Sequence, residues 1–415
     1  MQTRLPQRAT APQRIKEMTD TTQETILVGM DAHSEKISLC VTRWRLGSDP
    51  VVIKRITTTL DSLENTYRKQ IPAGALTVLE ASTNAFSIVR RLGAVGQRAE
   101  VLASDTLSGR ARSDRVNDRI DAQNLAFAHA RGGTRRVHVP SPRHQHWRDI
   151  FFGHRNAVKD STRWPNRIWA FCSGHGLKLP RESFHRKADA VRAEVAGYGW
   201  TQEEKFHLET LLLEYEHSME LRGRYEKLIA RIVSETPGMT RLMQMLGVRF
   251  IVAFALFTFV EDASRFATPK KLVSYIGLNP SVAESGKAGG RRRLSSHGRP
   301  DLKALMVEAA KSFLRHGKDD MAKWAYRKIA SGKPANVVTC AVARKMVVRA
   351  WHILMGHPVP DRKDEKSFRR KLAKLATAVG REHLAALGYK KPAEFIEALH
   401  SQVYPPESSA PAAQS

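Results

Sequence analysis

Four acidic side chains have an order and spacing that suit the binding of divalent metal ions. Asp31 and Glu80 each end a short apolar run that is typical of a β-strand. Asp118 and Asp121 stand three residues apart at the start of a helical pattern, so they share one helix face. Carboxylate oxygens hold Mg²⁺ or Mn²⁺, and two such ions about 4 Å apart can clamp the attacking and leaving oxygens of a phosphodiester. These four residues predict a two-metal site for phosphodiester cleavage.

Each carboxylate also has a simpler interpretation when it is taken alone. Asp31 precedes a turn, and Asp118 is a suitable N-cap residue for the helix that follows it. Asp114 is an alternative to Asp118, although it lies seven residues, or two helical turns, from Asp121.

A second candidate region combines a glycine-rich loop with a dense group of basic residues. Ser285 and Gly286 lie in this loop, and the acid Asp301 is outnumbered there by basic side chains. The candidate nucleic-acid-binding residues are Lys287, Arg291, Arg292, Arg293, Arg299 and Lys303. Such a loop is easier to order around an anion, and a nucleic-acid backbone supplies one. Pro300 fits the first turn of a helix that begins near Gly298, where unpaired N–H groups also favour phosphate. The alternative is a solvated basic loop.

The overall charge favours a polyanionic partner. Lys and Arg number 68 against 41 Asp and Glu, which gives a net charge of +27 and a pI near 10.3. The chain has no apolar run of about 18 residues, so we expect no membrane association. The first 24 residues lack the apolar core of a signal peptide, and Cys40, Cys172 and Cys340 are not spaced as disulfide or zinc pairs. We therefore expect a cytoplasmic, nucleoid-associated protein.

The element pattern predicts an α/β domain followed by mostly helical segments. We expect a basic disordered tail at 1–24 and an α/β domain at 25–139, in which a three-stranded meander precedes alternating strands and helices. This order is that of an RNase-H-like, or RuvC-like, domain, in which two neighbouring parallel strands bring their acidic ends together. We place a helical linker at 140–235, a helical domain at 236–355, and a basic helical extension with a disordered tail at 356–415.

The stretch 201–233 has apolar residues mostly at three- or four-residue steps. Its predicted stripe consists of Leu208, Leu211, Tyr215, Met219, Tyr225, Leu228 and Ile232. Two interpretations are open, a dimerising coiled coil or a long helix packed on its own chain.

Three smaller patterns have competing interpretations. The histidines at 138, 144, 146 and 154 suggest zinc, but without cysteine partners we favour surface or phosphate-facing side chains. The tryptophans at 147, 164 and 169 could stack on bases, although core packing is the better interpretation. The Pro-Gly pair at 237–238 resembles half of a helix-hairpin-helix turn, or else joins two helices in the ordinary way.

Two separate signatures resemble a known family, over roughly residues 25–350. VGMDAHSEKISLCV, LEAS and NDRIDAQNLA look like the first hairpin, the Glu strand and the paired-Asp helix of an N-terminal DEDD, RuvC-like domain. SYIGLNPSVAESGKAGGRRRLSSHGRPDLKALMVEAA, followed by AVARKMVVRAWHIL, resembles a C-terminal serine transposase domain. Together they resemble insertion-sequence transposases of the type that is guided by a bridge RNA.

This resemblance implies a recombinase that cuts and rejoins DNA for transposition. It implies that Asp31, Glu80, Asp118 and Asp121 bind Mg²⁺ or Mn²⁺ and that Ser285 is the nucleophile. The expected partners are DNA, a structured guide RNA and further copies of the chain in a homo-oligomer, either a dimer or a tetramer. Ser281, Ser295 and Ser296 are alternative nucleophiles.

Two other function classes remain open. The first is an RNase-H-like nuclease of the junction-resolvase type, in which Ser285 is inert. The second is a non-catalytic nucleic-acid-binding protein. The presence of all four acidic residues argues against the second class, and the first leaves the C-terminal signature without a role.

Overall fold

A computed structural model of the chain describes residues 24–104, 118–132, 134–185, 188–280, 294, 297–357 and 364–404. The expected tails at 1–24 and beyond 404 therefore lie almost entirely outside the described residues. The chain forms two compact units, Met1–Ser141 and Pro142–Ser415. Within the described residues, every helix is too short or too polar to cross a lipid bilayer.

The first unit is built from strands and helices in alternation after an initial meander. Its elements are β1 (Thr25–Ala32), β2 (Ile37–Trp44), β3 (Val51–Thr58), α1 (Leu63–Gln70), β4 (Leu76–Glu80), α2 (Ala85–Ala94), β5 (Arg98–Leu102), α3 (Asp118–Ala130) and β6 (Arg136–Val137). The strands form a six-stranded sheet in the order β3-β2-β1-β4-β5-β6. β2 is antiparallel to both β1 and β3, and β6 is antiparallel to β5, whereas β1, β4 and β5 are parallel. The predicted mixed α/β sheet is confirmed, and the RuvC-like assignment stays a prediction.

The two faces of this sheet have separate apolar cores. Val28, Met30 and Leu79 belong to a core on one face, which α1 and α2 cover. Leu27 and Val78, which alternate with them along the strands, pack with residues of α3 on the other face. Both faces of the sheet are covered, so β1 and β4 consist mainly of apolar residues. The acidic residues Asp31 and Glu80 come only at their carboxyl ends.

The second unit is helical, as the sequence predicts. Its elements are α4 (Pro142–Gly174), a 3₁₀ helix (Arg181–His185), α5 (Ala188–Val195), α6 (Gln202–Ser234), α7 (Pro237–Leu242), α8 (Phe250–Val260), a second 3₁₀ helix (Ala263–Arg265), α9 (Pro269–Ile276), α10 (Pro300–His316), α11 (Asp320–Ala330), α12 (Ala335–Leu354), α13 (Glu365–Val379), α14 (Arg381–Ala386) and α15 (Pro392–Ser401). The apolar helix α8 is at the centre of its main core, which also takes in Phe368 and Leu375 of α13. The basic extension is thus folded onto this core.

The long helix α6 packs along its own chain, against α4, α8 and α13. A capping box closes its amino end, where Thr201 and Glu204 satisfy each other's backbone N–H groups. The predicted stripe is wrong in the second half of the helix, because Met219 and Leu228 are exposed whereas Ile229 and Val233 are buried. The buried face shifts because α6 changes partners, from the core with α5 at Leu208 to the core with α8 at Ile229.

The smaller patterns are explained by packing in the second unit. His154 is buried, with its Nε2 3.6 Å from Glu226 Oε1, so the prediction of a surface or phosphate-facing side chain is wrong there. Trp147 lies in the core, as predicted, but Trp169 is 38% exposed, so the prediction of core packing is wrong there. Pro237 is the first residue of α7, and Gly238 follows inside that helix, where a Cβ would overlap the ring of Phe257. The Pro-Gly pair therefore begins a helix and is not part of a hairpin turn between helices.

Candidate active site

The acidic residues of the first unit depend on a close approach between a helix and a strand. Gly29 lies in β1, and a Cβ at this position would overlap the carbonyl oxygen of Ala122 in α3 and stand 3.0 Å from the amide nitrogen of Ala126. Only glycine lets the backbone of α3 come this near to the strand. The contact places Ala122, the residue after Asp121, against β1 one residue before the end of the strand's buried run.

A contact at the carboxyl end of α3 shows the direction in which the helix runs relative to β1. Arg131, just after the helix, donates from Nε to Asp49 Oδ1 at 3.1 Å. Asp49 lies in the loop after β2, at the end of the sheet where β2 pairs with the first residue of β1. The helix therefore runs from the carboxyl end of β1 toward its amino end. Its first turn, which carries Asp118 and Asp121, lies at the carboxyl end of β1, where Asp31 is found.

Strand register brings Glu80 to the same edge of the sheet. Met30 pairs with Leu79 across the parallel strands β1 and β4, so Asp31 and Glu80 are the next residue of each strand. Val78 packs on the α3 side of the sheet, and Glu80, two residues later, points to that same side. Asp31 is on this side as well, because it follows Gly29 by two residues. Three of the four predicted carboxylates thus share one face and one edge.

The surroundings of these carboxylates are polar and partly open to solvent. Asp31 has a side chain that is 20% exposed, and its Oδ2 lies 3.3 Å from His33 Nε2. Glu80 and Asp121 are also half-buried. The side chain of Asp118 lies outside the described residues. Among the side chains that are described, no three of His, Cys, Asp and Glu stand close enough to form a metal site. The donor type nevertheless fits Mg²⁺ or Mn²⁺, which prefer carboxylate oxygens.

The structure describes residues at the two ends of the second candidate region, the glycine-rich segment that contains Ser285. Pro280 and Leu294 form an isolated antiparallel bridge, so the segment between them leaves and rejoins the fold at one place. Below the bridge, Gly277 and Gly298 have positive φ angles of 84° and 109°, and a Cβ on Gly298 would stand 2.6 Å from the Cα of Gly277. These glycines allow the two ends of the segment to cross in contact. Ser285, Lys287 and Arg291 to Arg293 lie outside the described residues, as do the alternative serines.

Of the six candidate nucleic-acid-binding residues, Arg299 and Lys303 lie among the described residues. Arg299 is the N-cap residue of α10, which begins at Pro300 as the sequence predicts. Its Nη2 donates to Asp301 Oδ2 at 2.8 Å, and its guanidinium lies 4.2 Å from the ring centre of Phe259. Asp301 is only 5% exposed, so this pair is part of the packed interior at the start of α10. Lys303 follows in the first turn and is half-buried. The roles of both in nucleic-acid binding stay predictions.

The sequence of β1 carries a signal for this close approach at Gly29. A glycine inside an otherwise β-branched and aliphatic strand marks a bulge or a close backbone approach. Here β1 has regular register along its whole length, so the close approach is the reason for the glycine.

Comparison with known proteins finds similarity to transposases. Residues 239–325 match the model of the transposase IS116/IS110/IS902 family. The transposase for insertion sequence element IS1111A of Coxiella burnetii is 25% identical over 282 residues, which are 67% of this chain and 77% of that protein. A Sinorhizobium fredii protein named as a transposase, y4qE, is 28% identical over 303 residues, 66% of this chain and 74% of its own. The transposase for IS1328 of Yersinia enterocolitica is 22% identical over 286 residues, 66% of this chain and 82% of that protein. The chain is thus similar to transposases over about two thirds of its length, and residues 239–325 are similar to the transposase IS116/IS110/IS902 family.

Proposed function

We propose that this chain catalyses DNA transposition by cleaving and rejoining DNA strands, with a RuvC-like first unit that binds two Mg²⁺ or Mn²⁺ ions through Asp31, Glu80, Asp118 and Asp121. The packing of α3 on β1 at Gly29 supports this proposal most directly, because it brings carboxylates from two strands and one helix to one edge of the sheet. The names of the relatives supply the reaction class.

The bound ions would supply charge neutralisation at the attacking and leaving oxygens of the phosphodiester. The role of the chain's own carboxylates is to hold oxygen ligands at a fixed edge of a rigid sheet. Asp31 and Glu80 are fixed by strand register, and Asp121 by the contact between α3 and β1. Positions set by regular elements keep reacting groups in place more accurately than loop positions do.

Ser285 is the proposed nucleophile. Its Oγ forms a bond to phosphorus while the bond from phosphorus to a DNA oxygen breaks, and this gives a covalent protein–DNA intermediate. The hydroxyl proton passes to a base, for which Glu284 is the neighbouring candidate, and the departing DNA oxygen takes up a proton from solvent. Arg291 to Arg293 would donate to the non-bridging oxygens as negative charge develops. The bridge between Pro280 and Leu294 supports this assignment, since it anchors both ends of the segment.

The proposed partners are DNA, a structured guide RNA and further copies of the chain. The net charge of +27 favours binding of both nucleic acids.

The acidic residues can be tested by Asp121→Asn, which keeps the size of the side chain and removes its charge. We expect strand cleavage in Mg²⁺ to be lost while DNA binding, measured by gel shift, is retained. Asp61→Asn is the matched control, because Asp61 is an exposed acid of the same unit outside the site. Full cleavage by Asp121→Asn, or full cleavage by the unmodified chain in EDTA, would contradict the metal-dependent mechanism.

The serine can be tested with a nicked suicide substrate that traps a covalent protein–DNA adduct. Ser285→Ala should form no adduct and no recombinant DNA. Its free energy of unfolding should change by less than about 0.5 kcal/mol, because the substitution removes one hydroxyl from a glycine-rich loop. Ser295→Ala and Ser296→Ala are the controls and should still form the adduct. An adduct with Ser285→Ala that is lost in either control would move the nucleophile to that serine.

A further inference from the structure

A groove of about 880 Å³ lies in the second unit, and none of the site residues assigned above lines it. Its walls come from the segment after α7, the carboxyl end of α10, one residue of α12 and the first half of α13. The floor includes Gly247, whose φ is 83° and where a Cβ would stand 3.1 Å from the amide nitrogen of Phe313. All of α13 lies beyond the segment that matches the transposase family, which ends at residue 325.

The groove is much more basic than the chain as a whole. Lys and Arg supply 7 of the 16 residues that line it, against 68 of 415 overall. Six of these seven are Arg249, Lys318, Arg349, Lys366, Arg370 and Lys374. The seventh is Lys371, which is buried in the wall of the groove. Two acids, Asp319 and Asp364, also line the groove. Both serve as N-caps, accepting from the amides of Ala322 (2.9 Å) and Ser367 (3.0 Å).

The six cations have no anionic partner within the described residues. None of them forms an ion pair or a side-chain hydrogen bond there. Arg369, on another side of α13, shows the contrast, because it pairs with Glu397 at 2.6 Å and Glu365 at 3.4 Å. Carboxylates therefore neutralise α13 on that side and leave the groove side positively charged. Six cations against the two capping carboxylates leave an excess of positive charge in one concave surface, which a bound anion would offset.

The arrangement of the cations fits a chain of phosphates better than a single small anion. Lys366, Arg370 and Lys374 follow one another at four-residue steps along one side of α13, so they are spaced by about 6 Å along the helix axis. Arg249, Lys318 and Arg349 come from three other segments of the fold. Two rings line the groove among the described residues, that of Phe313, which is buried in the core, and the exposed imidazole of His316. The groove thus offers six cations and a single exposed ring, so phosphate contacts outnumber the places where a base could stack.

We propose that this groove binds the phosphodiester backbone of DNA, at a site separate in the chain from the acidic residues and from the Ser285 segment. The inference rests on the proposed function only in taking DNA as the substrate. The site would hold DNA without reading its sequence, since backbone contacts position a duplex and base-edge contacts specify it. It gives the carboxyl-terminal extension a function, because α13 supplies half of the six cations.

The test is the salt dependence of DNA binding by the full-length chain with Lys366→Glu, Arg370→Glu and Lys374→Glu combined. These side chains are exposed, so we expect folding to be retained. Each lost phosphate contact lowers the slope of log K against log salt by about 0.9. The triple variant should therefore bind a random-sequence DNA duplex with a slope smaller by about 2 to 3. The matched control combines Lys54→Glu, Arg68→Glu and Lys69→Glu in the first unit, three exposed cations whose reversal changes the net charge equally.

Each outcome decides for or against the proposal. A smaller slope in the groove variant alone supports it. An unchanged slope, or an equal loss in the control, overturns it. A folded RNA of similar length is measured in parallel, and loss of RNA binding with intact DNA binding would also overturn it. If the triple variant does not fold, the corresponding triple change to Gln replaces it, with the same expected direction. Failure of the proposed catalytic function would instead appear as cleavage that persists in Asp121→Asn.

Discussion

Gly29 lies where the carbonyl of Ala122 approaches β1, and the position of the acidic edge depends on this contact. Its neighbours on the strand, Val28 and Met30, are fully buried in the opposite core, so the strand has no room to move away. A packed interior transmits such a displacement, because few voids are available to absorb it. The side chain of Asp121 would move with α3, while Asp31 and Glu80 would stay with the sheet.

We expect Gly29→Ala to lower the free energy of unfolding by about 1–3 kcal/mol, the usual range for overpacking a core. Cleavage activity should fall further than this loss of stability explains, because the substitution separates the carboxylates. Gly93→Ala in α2 is the control, since a Cβ there meets no atom within 4 Å. It should raise the free energy of unfolding by about 0.4–1 kcal/mol. Equal effects of the two substitutions in urea denaturation would contradict the role given to Gly29.

For single residues, the sequence predicted the position of Asp31 and Glu80 in the sheet better than it predicted the contacts between side chains. Asp31 and Glu80 could be placed because a parallel pair of strands must end at one edge of a sheet. The ion pair of Arg299 with the buried Asp301 could not be foreseen, since it depends on the packing of Phe259 beneath the guanidinium. A charge pattern along the chain does not distinguish a cation that faces solvent from one already paired in the fold.

For the secondary-structure elements, α6 and α13 show which properties of a helix the sequence pattern can predict and which it cannot. The apolar period of α6 predicted a long helix, but not which residues are buried after Tyr215, because its partner changes along its length. For α13, composition suggested a basic extension. In the fold it is an integral part of the second unit. The sequence could not show this, because its burial depends on where the segment after α7 lies.

Lys371 joins α13 to that segment. Its Nζ donates to the carbonyl oxygens of Met243 and Met245, each at 2.6 Å. Burial lowers the pKa of Lys371 to about 7, from 10.5 in an exposed lysine. A neutral amine still has two N–H groups, enough for both carbonyls. The side chain can therefore remain in place on either side of this pKa, while the free energy of unfolding changes with pH.

Between pH 7 and about 10 the unfolded chain keeps this proton and the folded chain releases it. The unfolded state then binds more protons, so the contribution of Lys371 to the free energy of unfolding rises with pH, by at most about 1.4 kcal/mol per pH unit. This contribution is complete above the unfolded pKa and is lost as the pH falls toward 7. We expect urea denaturation at pH 7, 8 and 9 to show a rising difference in stability between the unmodified chain and Lys371→Met. A difference that is constant with pH would contradict the lowered pKa.

In the molecule as a whole, each of the two units contains its own apolar core. The first is built around β1 and β4, and the second around α8. Proteins with more than one such unit commonly depart from two-state unfolding. The tryptophans provide a probe for this behaviour, because Trp44 belongs to the first unit and the other six belong to the second. Tryptophan fluorescence should therefore follow mainly the second unit, whereas far-UV circular dichroism follows both.

We expect urea unfolding of the full chain to give different midpoints by fluorescence and by circular dichroism. Gly29→Ala should shift only the dichroism transition, because it destabilises the core of the first unit. Met306→Ala is the converse variant. Met306 is fully buried in the second core, and its truncation should lower that unit's stability by about 2–5 kcal/mol and shift the fluorescence transition. If both substitutions shift both transitions equally, the units unfold as one cooperative body and the separate cores are not independent. If Gly29→Ala leaves the fluorescence transition unchanged while Met306→Ala shifts it, variants of the acidic edge and of the basic groove can be compared without one unit's stability affecting the other's.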